Sequence, residues 1–218
     1  MVSRILSSNT RYDTISNHVL FQAHTNNSIF QQWYPEMAFK NSHGIKTVSE
    51  ETYNAMKDAV PKCVSLIEEC NNGNGFLNKF ACQTAFVLCN TGETAPYQMS
   101  GLNPYDIRKE CGDHPLCYDF SNVESFLNLD STKEALHVTK DSHHWESCNM
   151  GINLKFHTDW MKDFSPFVAD LLDGGIHVLI YAGDVDFICN YMGNKVCSFH
   201  FSWFPFFRKL TISFRHSF

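Results

Sequence analysis

Four cysteines, two on each side of a Gly/Asn break, constrain this chain more tightly than any other feature of its sequence. Cys63, Ile67 and Cys70 fall at i, i+4 and i+7, and after Asn71-Asn72-Gly73-Asn74-Gly75 the pattern recurs as Cys82, Phe86 and Cys89. That spacing puts each trio on one face of a helix. Two helices joined by a short polar loop pack antiparallel, which sets Cys63 opposite Cys89 and Cys70 opposite Cys82. Four cysteines allow three connectivities, and only this nested one fits a helical hairpin. The competing reading keeps all four as buried thiols in a helix pair. Cys111 and Cys117 flank the turn-rich Gly112-Asp113-His114-Pro115 and suit a small loop disulfide.

Zinc is the rival use for nine cysteines, but no two show the C-x2-C spacing of a structural zinc site. Of eleven histidines only His143 and His144 are adjacent, so no metal centre and no cofactor are expected. Nested, evenly spaced cysteines suggest an oxidising compartment. Residues 1–24 have neither the apolar core nor the small-residue cleavage site of a signal peptide. These two readings conflict, and together they lead to the expectation that the chain is incomplete. Lys plus Arg is 17 against 23 for Asp plus Glu, a net charge of −6 that argues against nucleic acid as a partner. Apolar residues at 44% and charged residues at 18% exclude wholesale disorder. No apolar run reaches the ~18 residues of a membrane span.

Ser49 is placed to cap a helix with Glu50 and Glu51 in its first turn, and Pro61 is expected to interrupt that helix. Ser121-Asn-Val-Glu124 and Ser131-Thr-Lys-Glu134 read as capping boxes. Ser165-Pro166 reads as an N-cap followed by proline at the first helical position, with Gly174-Gly175 as the stop. The near-continuous apolar run Ile176 to Ala182 then suits a strand covered on both faces, as in a parallel sheet. Helix, glycine stop and buried strand make an α/β unit. Gly183-Asp184-Val185-Asp186 follows at the strand's carboxyl end, where open α/β sheets place ligand sites. Two acids there are a functional candidate, and a local Asx turn or helix cap is the alternative. Residues 196–218 contain no Asp or Glu and seven phenylalanines, with Arg208, Lys209 and Arg215 and no sustained period. They are expected to be a tail unrelated to the fold, translated intron or a shifted frame; a membrane-surface segment is the other reading.

Six strings carry a resemblance. They are Trp33-Tyr-Pro-Glu-Met-Ala38, Leu102-Asn-Pro-Tyr-Asp-Ile-Arg-Lys109, Leu116-Cys-Tyr118, Trp145-Glu-Ser-Cys-Asn149, Asp159-Trp-Met-Lys162 and Tyr181-Ala-Gly-Asp-Val-Asp-Phe-Ile-Cys-Asn-Tyr-Met-Gly-Asn-Lys195. Together they resemble the serine carboxypeptidases of the yeast vacuolar and plant type, from about Thr25 to Lys195. The resemblance implies an α/β class chain: an incomplete α/β-hydrolase fold with a disulfide-bonded helical insertion, or cap, over the active site. It divides the chain into an unmatched segment 1–24, the cap 25–150, the C-terminal part of the core 151–195 and the tail 196–218. It implies the pairs Cys63–Cys89, Cys70–Cys82 and Cys111–Cys117, a partner for Cys148 upstream of this chain, and a thiol at Cys189 near the substrate pocket. Yeast-type members carry one more disulfide, whose positions hold Phe39 and Thr52 here.

Such enzymes remove the last residue of a peptide with a Ser/His/Asp triad. The resemblance makes Asp186 the triad acid and Asp184 a structural neighbour. It makes Trp160, Ile188 and Cys189 walls for the side chain preceding the cut bond, and puts Tyr105 and Tyr118 around the leaving residue. Ordinary packing under the cap is the competing reading for each aromatic. The family's Gly-x-Ser-x-Gly elbow does not occur in these 218 residues, and His200 and His216 lie outside the family's His-Met-Val-Pro context. The expectation is a fragment with one triad member, inactive alone, from a protein that works on peptide or protein C-termini in a vacuole, lysosome or secretory space. An acyltransferase on the same fold and a non-catalytic binding fragment are the rivals. The one sequon, Asn26-Asn27-Ser28, makes Asn26 a glycosylation candidate. A lone buried strand leaves its backbone groups unpaired, so residues 155–195 are expected to be unstable in isolation.

Overall fold

A computed structural model describes residues 18–21, 27–73, 75–139, 141–156, 158–202 and 210–215. In chain order these form β1 (His18–Phe21), α1 (Asn27–Phe39), α2 (Glu50–Asn71), α3 (Phe76–Cys89), α4 (Ala95–Gln98), β2 (Leu102–Asn103), β3 (Asp106–Glu110), α5 (Ser121–Leu127), α6 (Asp130–Ala135), α7 (Met150–Lys155), α8 (Ser165–Asp173), β4 (His177–Gly183), α9 (Tyr191–Ser202) and β5 (Leu210–Arg215). Asn90–Thr94 is a π-helical turn between α3 and α4, and Asp159–Met161 is a 3-10 turn before α8.

Ser49 caps α2 as its position predicts: its hydroxyl accepts the Thr52 N–H at 3.1 Å, with Glu50 and Glu51 in the first turn. Pro61 does not interrupt the helix, which runs unbroken for 22 residues. The missing N–H leaves the Lys57 carbonyl without its helical donor, but Lys57 and Pro61 both face solvent, so water can take that acceptor. α2 and α3 form the expected hairpin, cross-linked by Cys63–Cys89 and Cys70–Cys82 with Cα atoms 5.1 and 4.6 Å apart. Leu66, Ile67, Ala81 and Ala85 fill the space between the bridges, and Met161 closes the end. Asn71 ties the hairpin to the next unit: its side chain donates to the Met161 carbonyl at 2.9 Å and accepts the Asp163 N–H at 2.9 Å. Phe39, one of the two positions where the resemblance expects a cysteine, stacks on Tyr53 with ring centres 4.8 Å apart.

The capping boxes shift by one residue. Ser121 is already helical and its N–H donates to Asp119 Oδ1 at 2.9 Å; α6 begins at Asp130, one residue before Ser131. Ser165 likewise is the first helical residue of α8, with Asp163 Oδ1 accepting its N–H at 2.9 Å. At α5 and α8 an aspartate two residues upstream forms an Asx turn onto the serine's own N–H, which draws the serine into the first helical turn. Cys111–Cys117 closes the expected small loop, in which Leu116 and Cys117 take left-handed backbone at φ 58° and 63°.

The main sheet is parallel in the order β1-β4-β5, with His18 opposite His177 and Val178 opposite Leu210. β4 is therefore not a lone strand. Its predicted range shifts by one residue, and one of its neighbours comes from the Phe-rich segment that the sequence alone sets apart. Parallel pairing uses main-chain groups, so it leaves no side-chain period for a reader to find. α8 packs Val168 and Leu172 against Val178 and Ile180. α9 begins at a cap by Asn190, whose Oδ1 accepts the Gly193 N–H at 2.8 Å, and it runs past Lys195 into the Phe-rich segment. A Cβ at Gly193 would lie 2.8 Å from the Phe30 ring, so only glycine lets α9 approach α1 this closely.

Chain-entropy scaling ranks the bridges by loop length, 26 residues for Cys63–Cys89 and 6 for Cys111–Cys117. Replacing Cys63 and Cys89 together by serine should cost about 3 kcal/mol, against about 2 kcal/mol for Cys111 and Cys117. Denaturant midpoints of the two double variants check the order.

Candidate active site

The loop that leaves β4 is held by three layers of contact. Its backbone is bonded to the β2–β3 hairpin: the Ile107 N–H donates to the Val185 carbonyl at 2.9 Å, and the Phe187 and Ile188 amides both donate to the Pro104 carbonyl at 3.0 Å. The buried Phe187 ring is sandwiched between Tyr97, at 3.8 Å between ring centres, and Tyr34, at 4.9 Å. The Tyr97 hydroxyl donates to the Asn103 carbonyl at 2.8 Å, and the Tyr34 hydroxyl donates to the Ile188 carbonyl at 3.0 Å. α1, α4 and the small hairpin thus fix one five-residue stretch from three sides.

Within it the two acids have different partners. Asp184 is buried and its Oδ2 lies 2.8 Å from His43 Nε2, on the loop after α1. Asp186 is 6% exposed and its Oδ1 accepts the Cys189 N–H at 2.8 Å. Burial pushes the Asp186 carboxyl up to about 6, against the pull of the Cys189 and Ile188 amides. Part of the Asx-turn alternative is therefore correct for Asp186, since it does accept a local amide, while Asp184 reaches a distant element instead. Burial, and then the charge of Asp186, pushes the Cys189 thiol up to about 12. At neutral pH it is a thiol and a poor nucleophile.

Tyr105 and Tyr118 stand together at the surface, ring centres 6.0 Å apart and each a little over a third exposed. Tyr105 feels the charges of Cys189 and Asp186, behind a larger effect of burial. Asp186, Ile188, Cys189, Tyr105 and Tyr118 thus share one neighbourhood. Trp160 packs instead against the cystine hairpin beside Met161. Asn26 lies outside the described residues. Cys148 and Cys189 are outside the three disulfides. No group of three or more metal-binding side chains is found among the described residues. No described helix is long and apolar enough to cross a membrane.

Two features had no reading in sequence. Tyr34 stood inside a motif string without a role. Glu93 sits in Asn-Thr-Gly-Glu-Thr, which reads as polar loop, yet the π turn buries it completely. Neither carboxylate oxygen has a hydrogen-bond partner among the described residues, and burial pushes the group up to about 9.

A sequence model of the family described as Serine carboxypeptidase matches residues 3–204, a longer stretch than the motif strings span. The chain belongs to the serine carboxypeptidase family. It is 36% identical over 204 residues to carboxypeptidase Y of Saccharomyces cerevisiae, covering 92% of this chain and 37% of that protein. Against carboxypeptidase Y of Candida albicans the identity is 35% over the same length and shares. Against carboxypeptidase Y homolog A of Arthroderma gypseum it is 40% over 182 residues, 82% of this chain and 32% of the relative. The chain thus spans about a third of the length of these relatives. Membership implies the α/β-hydrolase fold.

The two raised acids give this chain a defined pH response. A carboxyl whose folded pKa exceeds its unfolded value binds more protons when folded, so stability falls as pH rises between the two values. For Asp186 the window runs from 3.8 to about 6, and for Glu93 from 4.5 to about 9. Glu93→Gln should remove most of the slope above pH 6 and raise stability at pH 7 by on the order of 3 kcal/mol. Chemical unfolding at several pH values measures both effects.

Proposed function

We propose that these residues are the cap and the acid-bearing part of the core of a serine-type carboxypeptidase, with Asp186 as the triad acid. The observation that carries this reading is the position of Asp186: buried, clamped and directly after the carboxyl end of a central parallel strand. In the mechanism the serine oxygen attacks the scissile carbonyl while the histidine takes its proton. The acid accepts the histidine's other N–H, fixes its tautomer and stabilises the imidazolium. Asp186 Oδ1 is engaged by the Cys189 amide, which orients the carboxylate toward the histidine. Its pKa near 6 implies a working range in which the acid is ionised from mildly acidic pH upward.

The substrates on this reading are peptide and protein C-termini. Ile188 and Cys189 form a wall for the residue before the cut bond, and the Tyr105–Tyr118 pair lies by the leaving residue. The serine elbow and the catalytic histidine are not among the motifs of these 218 residues, so the chain alone does not hydrolyse peptides. Three disulfides agree with an oxidising setting, vacuolar, lysosomal or secreted, in which Asn26 can carry a glycan.

The test is C-terminal trimming of a model peptide by a protein that joins these residues to a family serine and histidine. Asp186→Asn should lower kcat about 10⁴-fold, and the 218-residue chain should release no amino acid. Full activity in the Asn variant would exclude Asp186 as the triad acid.

A further inference from the structure

We propose that Tyr34 is a positioning residue for Asp186, acting through the single peptide unit that joins Ile188 to Cys189. The Tyr34 hydroxyl donates to the carbonyl of that unit at 3.0 Å, and the N–H of the same unit donates to Asp186 Oδ1 at 2.8 Å. A hydrogen bond accepted at one end of an amide polarises the bond donated at the other end. Tyr34 therefore strengthens the N–H that holds the carboxylate, although 152 positions separate the two side chains in sequence. Its ring is fixed independently by the stack on Phe187, so the hydroxyl arrives pre-aimed. Catalytic importance for Tyr34 rests on Asp186 being the triad acid; the relay itself does not.

The groups around Asp186 leave this chain of bonds as a main support for its charge. Tyr34 from α1, Tyr97 from α4, Tyr105 from the β2–β3 turn and Cys189 from its own loop all feel its charge, and burial raises all four. At neutral pH these are uncharged. Glu93 acts on Tyr34 from the π turn. Of the basic side chains described nearby, His43 bonds Asp184, and Arg108 and Lys109 pair with Asp106. Stabilisation of the ionised Asp186 thus falls to backbone amides, and Tyr34 sets the strength and direction of one of them.

The experiment is a carboxyl NMR titration of the full chain with ¹³C-labelled aspartate, the Asp186 signal being assigned by its loss in Asp186→Asn. Tyr34→Phe keeps the ring stack and removes only the donor. It should move the Asp186 titration up by about half a pH unit. Tyr97→Phe removes the neighbouring hydroxyl, which bonds Asn103 instead, and should leave that titration in place. Site-specific 3-fluorotyrosine at position 34 is a stronger donor of nearly the same shape and should move it down, which also decides the matter if Tyr34→Phe does not fold. An Asp186 titration that is unchanged in folded Tyr34→Phe, or that moves as far in Tyr97→Phe, overturns the relay. The acid limb of kcat/KM in the joined enzyme should follow the NMR shift. A shifted titration in a protein that cleaves no peptide would leave the relay standing and remove the peptidase reading.

Discussion

The nested cystines between α2 and α3 set the geometry on which the rest depends. Once Cys63 is bonded to Cys89 and Cys70 to Cys82, the two helices have one register and one separation. The π turn that follows α3 is then forced against α2, where Gly92 lies so close to Ala59 that an added Cβ would sit 2.8 Å from it. This contact directs α4, and α4 delivers Tyr97 to the face of Phe187. At the other end of the hairpin, Asn71 and the Cys70 carbonyl hold residues 161–163, the first of these by hydrogen bonds and the second through Lys162 Nζ at 2.7 Å. A pair of covalent links in the α2–α3 hairpin thus reaches the acid-bearing loop through α4 and holds the segment that leads into α8.

That loop shows how a fold keeps an acid buried without a cationic partner. Asp106, by comparison, is held down to about 2 by its hydrogen bonds with the Arg108 side chain. Asp186 takes backbone amides instead, and the balance of burial against those amides leaves it near 6. Amides aimed by packing cost no mobile counterion. Glu93 is the contrasting case, buried with nothing to accept from among the described residues, and it stays protonated at neutral pH.

The helical face of each cysteine pair, the cap at Ser49, the buried strand after Gly174-Gly175 and the acidic loop at its end were all legible in sequence, because each follows from a local period or a local hydrogen bond. The errors were local competitions. Pro61 is tolerated because its side of α2 faces water, and Asp119 and Asp163 accept the N–H groups of Ser121 and Ser165, which become the first helical residues instead of caps. The partners of β4 were illegible for a different reason: parallel pairing is written in main-chain groups, and the strands it joins are far apart in the chain.

By itself, then, the sequence determined the cross-linked hairpin, the α/β character of the C-terminal part, and the loop of Asp184 and Asp186 as the place to watch, while the family resemblance singled out Asp186. The first three follow from side-chain spacing, which is a property of the chain alone. Tertiary structure decided which acid is bonded to what: His43 for Asp184, the Ile188–Cys189 peptide for Asp186, and no partner among the described residues for Glu93. It also decided that Tyr34 reaches the Ile188 carbonyl. Hydrogen bonds across such sequence distances and the desolvation that sets a carboxyl's charge depend on packing between elements, and no local pattern of residues encodes that distance or that dryness.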